Sequence, residues 1–304
     1  MMNGLLLSIC IPTNGASQWV LPCLDAIYSQ GIDKSLFEVV ITDNDIDSTL
    51  LSDLRPYECD NLRYVQTRDE GFLNLVTALK LGRGVFRKML NHRSMILPGT
   101  IARWLAIIKE YMNSKPIIYF SDNQLDVGTI LQCSNLDSFI NRLSYWSSWS
   151  AGISIWDIDV GEIDRLELNE MFPNVSLLFN LRSESQYIIC DEKYQNMQDE
   201  RGKGGYNLFQ IFAVDYLDIL NSLRREKKIK NKTFIKVKME LLTFLSAWYF
   251  ELIVKKTSKY KFEVVDRRQS FSIYYSVVDY YLMCIYAWLL VPFRRVIKYF
   301  YKKF

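Results

Sequence analysis

The triplet Asn91-His92-Arg93 contains the only histidine of the 304-residue chain and lies directly before the turn "SMILPG". Histidine changes charge close to neutral pH, so His92 is a candidate catalytic acid or base. It is also a candidate hydrogen-bond donor and a candidate structural residue. A single imidazole without nearby carboxylate or thiolate ligands binds a metal weakly, which disfavours a metal site at His92. The role of the triplet therefore depends on which elements the fold places beside it.

Two further clusters of polar residues follow apolar runs in the first half of the chain. Pro12 to Asn14 come after "LLLSICI", and Asp43 to Asp45 come after "FEVVIT". From residue 5 to about residue 99, such β-rich runs alternate with amphipathic helical runs, which predicts a mostly parallel sheet with helices on both faces. In such sheets, ligands bind beyond the carboxyl ends of the strands. We therefore expect both clusters to face one crevice.

The order and spacing of these runs resemble the start of family 2 glycosyltransferases of the GT-A fold. In that family the first strand ends in a Pro-Thr-Tyr-Asn type turn, and the second ends in an acidic residue that binds the base and ribose of a nucleotide. The run "GFLNLVTALKLGRG" is similar to the family's next element, a helix that begins Gly-x-x-Asn. The resemblance covers roughly residues 5–125, with Asn14 replacing the usual tyrosine. It implies nucleotide-binding roles for Pro12, Thr13, Asn14, Asp43, Asp45, Gly71 and Asn74.

The turn "SMILPG" also resembles this family, whose Asp-x-Asp motif directly before it holds a divalent metal such as Mg²⁺ or Mn²⁺ at the donor diphosphate. On that resemblance Asn91, His92 and Arg93 occupy the Asp-x-Asp positions, and Asn91 joins the nucleotide-binding residues. Two carboxylates without a metal would repel the diphosphate by about 4 kcal/mol per charge pair at ~4 Å and an effective dielectric of ~20. A guanidinium instead suits phosphate oxygens. We therefore expect no metal cofactor, with Arg93 and His92 in catalytic roles. The alternatives are a divalent metal such as Mg²⁺ or Mn²⁺ bound without the motif carboxylates, and a site that no longer turns over.

The family places the carboxylate that takes the proton of the acceptor at the start of a later helix, often as Glu-Asp. By order along the chain, "LELNEMFPNVSLLFNLR" occupies that place, which makes Glu170 the candidate base and Glu167 a second candidate. Asp157 and Asp159 compete for the role, and carboxylates ahead of helices are often only caps. Residues 146–178 resemble the acceptor region of bacterial abequosyl- and rhamnosyltransferase-like members, which assemble surface polysaccharides.

Charge divides the chain into an acidic and a basic part. Residues 1–223 carry 18 Lys or Arg against 28 Asp or Glu, whereas residues 224–304 carry 19 against 6. The basic part begins in "NSLRREKKIKNKTFIKVK", predicted as the start of one helix, and no recognised nucleic-acid-binding motif accompanies its charge. We therefore expect no nucleic-acid partner.

The end of the chain resembles a membrane-surface element. Residues 272–293 carry one charge, Asp279, among many tyrosine and tryptophan residues. This pattern fits a helix that lies in the headgroup region better than a helix that spans the bilayer, and the alternatives are a soluble subdomain or an oligomer contact. Each flanking cation adds about 1 kcal/mol of attraction to an anionic leaflet. These cations are Arg294, Arg295, Lys298, Lys302 and Lys303.

The sequence therefore predicts an α/β fold with a Rossmann-like GT-A domain over residues 1–220 and a basic, aromatic helical region over residues 221–304. The apolar run at residues 5–11 lacks a basic leader and is ended by Pro12, so it predicts a strand and not a signal peptide. The six cysteines are scattered without a CxxC pair and predict reduced thiols of a cytosolic protein.

The resemblance implies a bacterial enzyme of surface polysaccharide synthesis, such as the synthesis of O-antigen or capsule. It would move a hexose or deoxyhexose, with inversion, from a nucleotide sugar to a polyprenyl-diphosphate-linked saccharide at the cytoplasmic face of the inner membrane. Two alternatives remain. One is a non-catalytic GT-A-fold binding module of a membrane polysaccharide assembly complex, and the other is a peripheral membrane protein whose main activity lies in the basic tail.

Overall fold

The computed structural model describes residues 4–57, 59–182, 186–198, 201–256, 258–289 and 293. The chain divides into two compact units, residues 1–199 and residues 200–304. The predicted domain boundary at residue 220 falls inside the helix Tyr216–Arg225. The helical residues directly before residue 220 therefore belong to the second unit.

Strands and helices alternate along the first unit, as predicted for residues 5–99. Its strands are β1 (Leu7–Thr13), β2 (Phe37–Asp43), β3 (Leu62–Gln66), β4 (Phe86–Met89), β5 (Ser94–Ile96), β6 (Ile117–Phe120), β7 (Ile130–Cys133), β8 (Ser154–Trp156), β9 (Tyr187–Cys190) and β10 (Gln195–Met197). Its helices are α1 (Ser17–Tyr28), α2 (Leu50–Asp53), α3 (Asn74–Leu81), α4 (Thr100–Tyr111), α5 (Leu136–Leu143), α6 (Val160–Ile163) and α7 (Pro173–Asn180). Short 3₁₀ turns occupy Arg55–Tyr57, Gly71–Leu73, Ser144–Ser148, Ser150–Gly152 and Asp157–Asp159.

The central sheet has the strand order β3-β2-β1-β4-β8. β1 pairs in parallel with β2 and β4, β2 pairs in parallel with β3, and β8 forms an antiparallel edge against β4. Nearly every side chain of β1 and β2 is buried, as in strands that are covered on both faces. Leu7, Ile9 and Ile11 of β1 share one apolar core with side chains of α1 and α4, and α3 packs against β1 and β2. The predicted mostly parallel α/β fold is confirmed.

Smaller sheets complete the first unit. β9 pairs in parallel with β6 and antiparallel with β7. β10 pairs antiparallel with β5, so that Gln195 lies opposite Ile96 and Met197 lies opposite Ser94. This pairing brings a segment about 100 residues later in the chain beside the residues that follow Asn91-His92-Arg93.

The second unit is mainly helical. Its helices are α8 (Leu208–Gln210), α9 (Tyr216–Arg225), α10 (Asn231–Tyr249), α11 (Arg267–Ser272) and α12 (Val277–Leu289), with π turns at Ile211–Asp215 and Phe250–Val254. Its strands β11 (Gly204–Asn207) and β12 (Lys261–Glu263) pair in parallel. The prediction of one helix through the start of the basic part is wrong. Lys227 has a φ of +61°, so the chain turns between α9 and α10.

The described part of the aromatic segment at residues 272–293 contains α12. α12 has 13 residues. Over the described ranges of the chain, no helix has both the length and the apolar character needed to cross a membrane. The predicted cationic flank, residues 294–303, lies outside the described residues.

Candidate functional site

The carboxyl ends of β1, β2 and β3 lie side by side at one edge of the central sheet. Thr13 is opposite Asp43 in the β1–β2 pair, and Asp43 is opposite Gln66 in the β2–β3 pair. Parallel sheets of this kind form ligand crevices beyond the last residues of their strands. The structure therefore brings together the polar clusters that follow β1 and β2.

Thr13 provides an unsatisfied polar atom at this edge. Its hydroxyl oxygen is buried and has no hydrogen-bond partner among the described residues. Such a group costs about 1–3 kcal/mol when it is left unpaired. A ligand that donates to or accepts from the Thr13 hydroxyl would recover part of this free energy.

Asp43 is fully buried at the end of β2 and accepts two hydrogen bonds. Its Oδ1 accepts from the backbone N–H of Asp45 at 3.1 Å, and its Oδ2 accepts from the hydroxyl of Tyr64 at 3.0 Å. Burial, and then the bond to this carboxylate, raises the pKa of Tyr64 to about 12, so the Tyr64 hydroxyl remains a donor. Because Asp43 is fully buried, its contact with a nucleotide requires Tyr64 or the loop after β2 to move aside. The only sequence signal for Tyr64 is its place in the strand next to β2.

Asn74, which begins α3, ties the strand ends together. Its Nδ2 donates to the carbonyl oxygens of Thr13 and Thr42, each at 3.0 Å, and its Oδ1 accepts from the hydroxyl of Thr67 at 3.1 Å. Both N–H groups of the amide are thus used within the protein. Asn74 fixes the edge of the crevice, and its contact with a nucleotide stays a prediction. Gly71, the other predicted residue of this segment, is exposed and has a φ of +50°.

The loop after β1 turns at Gly15, whose φ is +77°. A Cβ atom at Gly15 would lie 2.8 Å from Oγ of Ser48 and 2.9 Å from Oδ2 of Asp45, so a larger residue would displace these side chains. Asn14 is exposed, and Asp45 is half-buried, with its Oδ1 accepting from the N–H of Asp47 at 3.1 Å. The loops after β1 and β2 are therefore packed against each other at the crevice.

Asn91, His92 and Arg93 form a turn between β4 and β5 that lies against the end of β1. Nδ1 of His92 is 3.2 Å from the carbonyl oxygen of Pro12. Because a carbonyl oxygen only accepts, this contact assigns a proton to Nδ1 and leaves Nε2 as the acceptor of a neutral ring. Oδ1 of Asn91 accepts from the N–H of Arg93 at 2.9 Å and closes the turn. The triplet therefore lies at the same crevice as the end of β1.

Arg93 stacks on an aromatic ring of α1. Its guanidinium carbon Cζ is 4.6 Å from the centroid of the Trp19 ring. Gln198 connects the same two residues, because its N–H donates to the Arg93 carbonyl at 2.9 Å and its Nε2 donates to the Trp19 carbonyl at 3.1 Å. Stacking holds the plane of the guanidinium and directs its N–H donors away from the ring. Trp19 and Gln198 are positioning candidates that no sequence motif identified.

The side chains at the Asp-x-Asp positions do not fit a divalent metal. Asn91, His92 and Arg93 supply an amide, an imidazole and a guanidinium, whereas Mg²⁺ and Mn²⁺ prefer several carboxylate and water oxygens. A guanidinium has no acceptor atom and repels a cation. Across the described residues, no group of three or more His, Cys, Asp or Glu side chains is arranged to hold a metal ion. A reaction without a metal stays a prediction, which the donor set favours.

Glu170 lies on an exposed bend ahead of α7. It does not hold the chain at this bend, because Oδ1 of Asn169 accepts from the N–H groups of Met171 and Phe172 at 3.0 Å and 2.9 Å. Glu167 is also exposed. Among the described residues, no hydrogen bond joins Glu170 to the crevice, so its role as the base stays a prediction.

The competing carboxylates are used in ion pairs. Asp157 accepts from Nζ of Lys115 at 2.6 Å. Asp159 is fully buried, accepts from the N–H of Trp156 at 2.7 Å and pairs with Arg182. These partners give both residues a structural role.

A buried lysine lies in β4, the strand that leads into the triplet. Nζ of Lys88 donates to the carbonyl oxygens of Met89 at 2.9 Å and Ala151 at 2.5 Å, and it lies 4.8 Å from the centroid of the Phe120 ring. Burial lowers the pKa of Lys88 to about 7. Lys88 therefore changes charge near neutral pH in the strand that precedes the triplet.

Comparison with solved structures gives the class of fold. Residues 1–349 of TarS from S. aureus, in complex with UDP-GlcNAc, match with a TM-score of 0.59 at 15% identity, covering 88% of this chain and 78% of that one. A mannosyltransferase from Pyrobaculum calidifontis, in complex with GDP-Man and Mn²⁺, matches with a TM-score of 0.52 at 14% identity, covering 97% of this chain and 83% of that one. No family model and no curated protein sequence matches the chain. Together with the sheet order, these likenesses define a GT-A-type α/β fold.

Proposed function

We propose that this chain is a glycosyltransferase that moves a sugar from a nucleotide-sugar donor to a saccharide acceptor with inversion at the anomeric carbon. The observation that supports this most directly is the contact of His92 with Pro12, which joins the Asn91-His92-Arg93 turn to the edge that carries Thr13 and Asp43. A donor needs a pocket for its base and a positive group at its diphosphate. This edge supplies residues for both. The two neighbours described above were solved with nucleotide sugars, which supports a donor of that class.

The base and ribose of the donor bind at the β1–β2 edge, and the diphosphate binds at the triplet. Thr13 contributes its unsatisfied hydroxyl, and Asn14 contributes an exposed amide next to it. The Asp43 carboxylate accepts from ribose or base once Tyr64 has moved aside. The donor thus extends from the end of β2 toward the turn after β4.

Arg93 stabilises the leaving nucleoside diphosphate. As the bond between the anomeric carbon and the phosphate oxygen breaks, negative charge grows on that oxygen. A guanidinium can donate two parallel hydrogen bonds to phosphate oxygens without a metal. Trp19 holds the plane of the Arg93 side chain, and His92 donates a further hydrogen bond when its ring is protonated.

Glu170 accepts the proton of the attacking hydroxyl. The acceptor oxygen forms a bond to the anomeric carbon on the face opposite the diphosphate, while the carbon–oxygen bond to the diphosphate breaks. One displacement of this kind inverts the anomeric centre. General-base assistance of this type contributes about 10²- to 10⁴-fold to a rate.

We further propose that the acceptor saccharide is linked to a polyprenyl diphosphate and that the chain works at the cytoplasmic face of a bacterial inner membrane, in surface polysaccharide synthesis such as that of O-antigen or capsule. α12 supports membrane docking, since Met283 and Ala287 are buried while a wide apolar face is between 51% and 66% exposed. Such a face is typical of a protein or membrane contact. The exposed side chains are Val277, Val278, Tyr281, Leu282, Ile285, Trp288 and Leu289.

A non-catalytic binding module of a polysaccharide assembly complex is the second candidate. The observation that favours it is the loss of both carboxylates from the Asp-x-Asp positions. One experiment separates the two candidates: membranes carrying lipid-linked acceptor are incubated with the protein and a panel of nucleotide sugars, with Mg²⁺ or with EDTA. UDP, GDP and dTDP are titrated into the protein by calorimetry in parallel. Product from one donor supports the enzyme, binding of a nucleotide without any product supports the module, and the absence of both contradicts both.

A further inference from the structure

A cationic pocket of about 590 Å³ opens between the end of α9 and the start of α10. Four of its lining residues carry a positive charge, and they stand beside one aliphatic and one amide side chain. Glu226, within the same turn, is paired with Lys228 at 2.8 Å and does not line the pocket. The pocket is therefore built to attract an anion. Its lining residues are Arg224, Arg225, Lys227, Ile229, Lys230 and Asn231.

Arg224 is held in place by contacts with both helices. Nε and Nη2 of Arg224 donate to Oδ1 of Asn221 at 3.1 Å and 2.7 Å, and Nη1 donates to Oδ1 of Asn231 at 3.2 Å. The same guanidinium lies over the ring of Phe234, 5.0 Å from its centroid. Arg224 thus joins the two helices, and less side-chain entropy is lost when an anion binds beside it.

A backbone hydrogen bond holds the turn between α9 and α10. The N–H of Lys228 donates to the carbonyl of Leu223 at 2.9 Å, and the left-handed backbone of Lys227 directs the chain into α10. α10 has 19 residues, and its first turn contains no acidic side chain. Its dipole therefore adds to the positive potential of the lysines and arginines.

An exposed apolar face in the same unit indicates what kind of anion this pocket binds. α10, whose first residue Asn231 lines the pocket, packs against α12. On α12, Val278 is 66% exposed and Trp288 is 59% exposed. Cations and exposed apolar side chains in one unit match the phosphate layer and the upper acyl region of a membrane. A phosphate ion in water gains nothing from such an apolar face.

We propose that this pocket binds the phosphate of an anionic lipid headgroup. The proposal rests on the membrane docking put forward above, and it assigns the electrostatic part of that docking to the α9–α10 turn. The exposed face of α12 then supplies the apolar part.

The test is sedimentation of the full chain with vesicles of phosphatidylcholine, with or without phosphatidylglycerol. The pocket variant carries Arg225→Gln, Lys227→Gln and Lys230→Gln, and it keeps Arg224 with its helix contacts. The control variant carries Lys255→Gln, Lys256→Gln and Lys259→Gln, which remove the same charge from exposed positions of the same unit. We expect the wild type to prefer anionic vesicles and the pocket variant to lose on the order of 100-fold in affinity, since each cation near a membrane contributes about 1 kcal/mol. The control loses less than about threefold.

Three results would overturn the proposal. Equal losses in both triple variants mean that net charge alone drives binding, and this rejects the pocket but keeps the docking. A wild type that binds neither kind of vesicle rejects the docking as well. Calorimetric binding of inorganic phosphate to the wild type, lost in the pocket variant, with no preference for anionic vesicles, shows that a free phosphate is the ligand.

Discussion

The guanidinium of Arg93 lies 4.6 Å above the indole of Trp19, and Gln198 bonds to the backbone of both residues. This contact links α1, which follows the loop after β1, with the Asn91-His92-Arg93 turn at the Asp-x-Asp positions. A fixed guanidinium plane is what a bidentate contact with a diphosphate requires. The pair therefore combines charge with orientation at the place where the proposed reaction needs both.

Trp19 is expected to act through Arg93. Trp19→Ala removes the stack and lowers kcat about tenfold, because a partly desolvated cation–π contact is worth about 1–2 kcal/mol. Trp19→Phe, which keeps an aromatic face, retains most of kcat. In an Arg93→Ala background, Trp19→Ala costs little more, a coupling that steady-state kinetics of the four proteins would measure. Full additivity of the two losses would contradict a positioning role.

Substitutions of Asp43 and of its hydrogen-bond donor Tyr64 are expected to change the Kd for the nucleoside diphosphate differently. Asp43→Asn removes the negative charge offered to ribose or base and raises the Kd for the nucleoside diphosphate at least about tenfold. Tyr64→Phe releases Oδ2 of Asp43 from its present donor, so the Kd changes by less than about threefold or improves. Isothermal titration calorimetry measures both values. If Tyr64→Phe weakened binding as much as Asp43→Asn, the Asp43 carboxylate would have only a structural role.

Lys88 makes stability depend on pH. Its pKa falls from 10.5 in the unfolded chain to about 7 in the folded one because it is buried. Between these values the unfolded chain holds a proton that the folded chain lacks, so raising the pH stabilises the fold, by on the order of 1 kcal/mol per pH unit. Lys88→Met lacks this contribution. Urea unfolding of both proteins at several pH values from about 7 to 10 tests the difference, and identical slopes would reject it.

Gly15 is required by the packing of the two crevice loops. Gly15→Ala combines a positive φ with a close contact to Ser48 and Asp45 and is expected to destabilise the protein by about 1–2 kcal/mol and to raise the donor KM. Gly161→Ala is the matched control, since a Cβ there meets nothing within 4 Å and α6 favours alanine. Thermal melting and donor titration compare the variants. Equal behaviour of the two would show that the loops are not coupled.

The sheet and its crevice edge could be predicted because they depend on local pattern. Strands β1 and β2 are continuous apolar runs that end in polar residues, and the rule for ligands at strand ends needs no distant contact. The break between α9 and α10 was missed because no glycine or proline marks it; a lysine, Lys227, takes the left-handed backbone instead.

The sequence does not reveal Gln198 and Tyr64 as supporting residues of the site, because their contacts depend on strand pairing. Gln198 reaches Arg93 only because β10 pairs with β5, and Tyr64 reaches Asp43 only because β3 pairs with β2. Asn74, whose contact with a nucleotide stays a prediction, also holds two strand ends together, a role that follows from where its amide lies in three dimensions. Periodicity carries no information about such contacts.

In the proposed reaction, Arg93 takes the role of a metal ion at the donor diphosphate. This role is tested most directly by measuring kcat/KM for sugar transfer in the presence of EDTA. Wild-type protein, Arg93→Ala and Arg165→Ala are compared, the last removing an exposed arginine of the same unit. We predict that the wild type is as active in EDTA as in Mg²⁺, that Arg93→Ala falls by about 10²- to 10³-fold, and that Arg165→Ala is unchanged. Loss of wild-type activity in EDTA, or full activity of Arg93→Ala, would contradict the account.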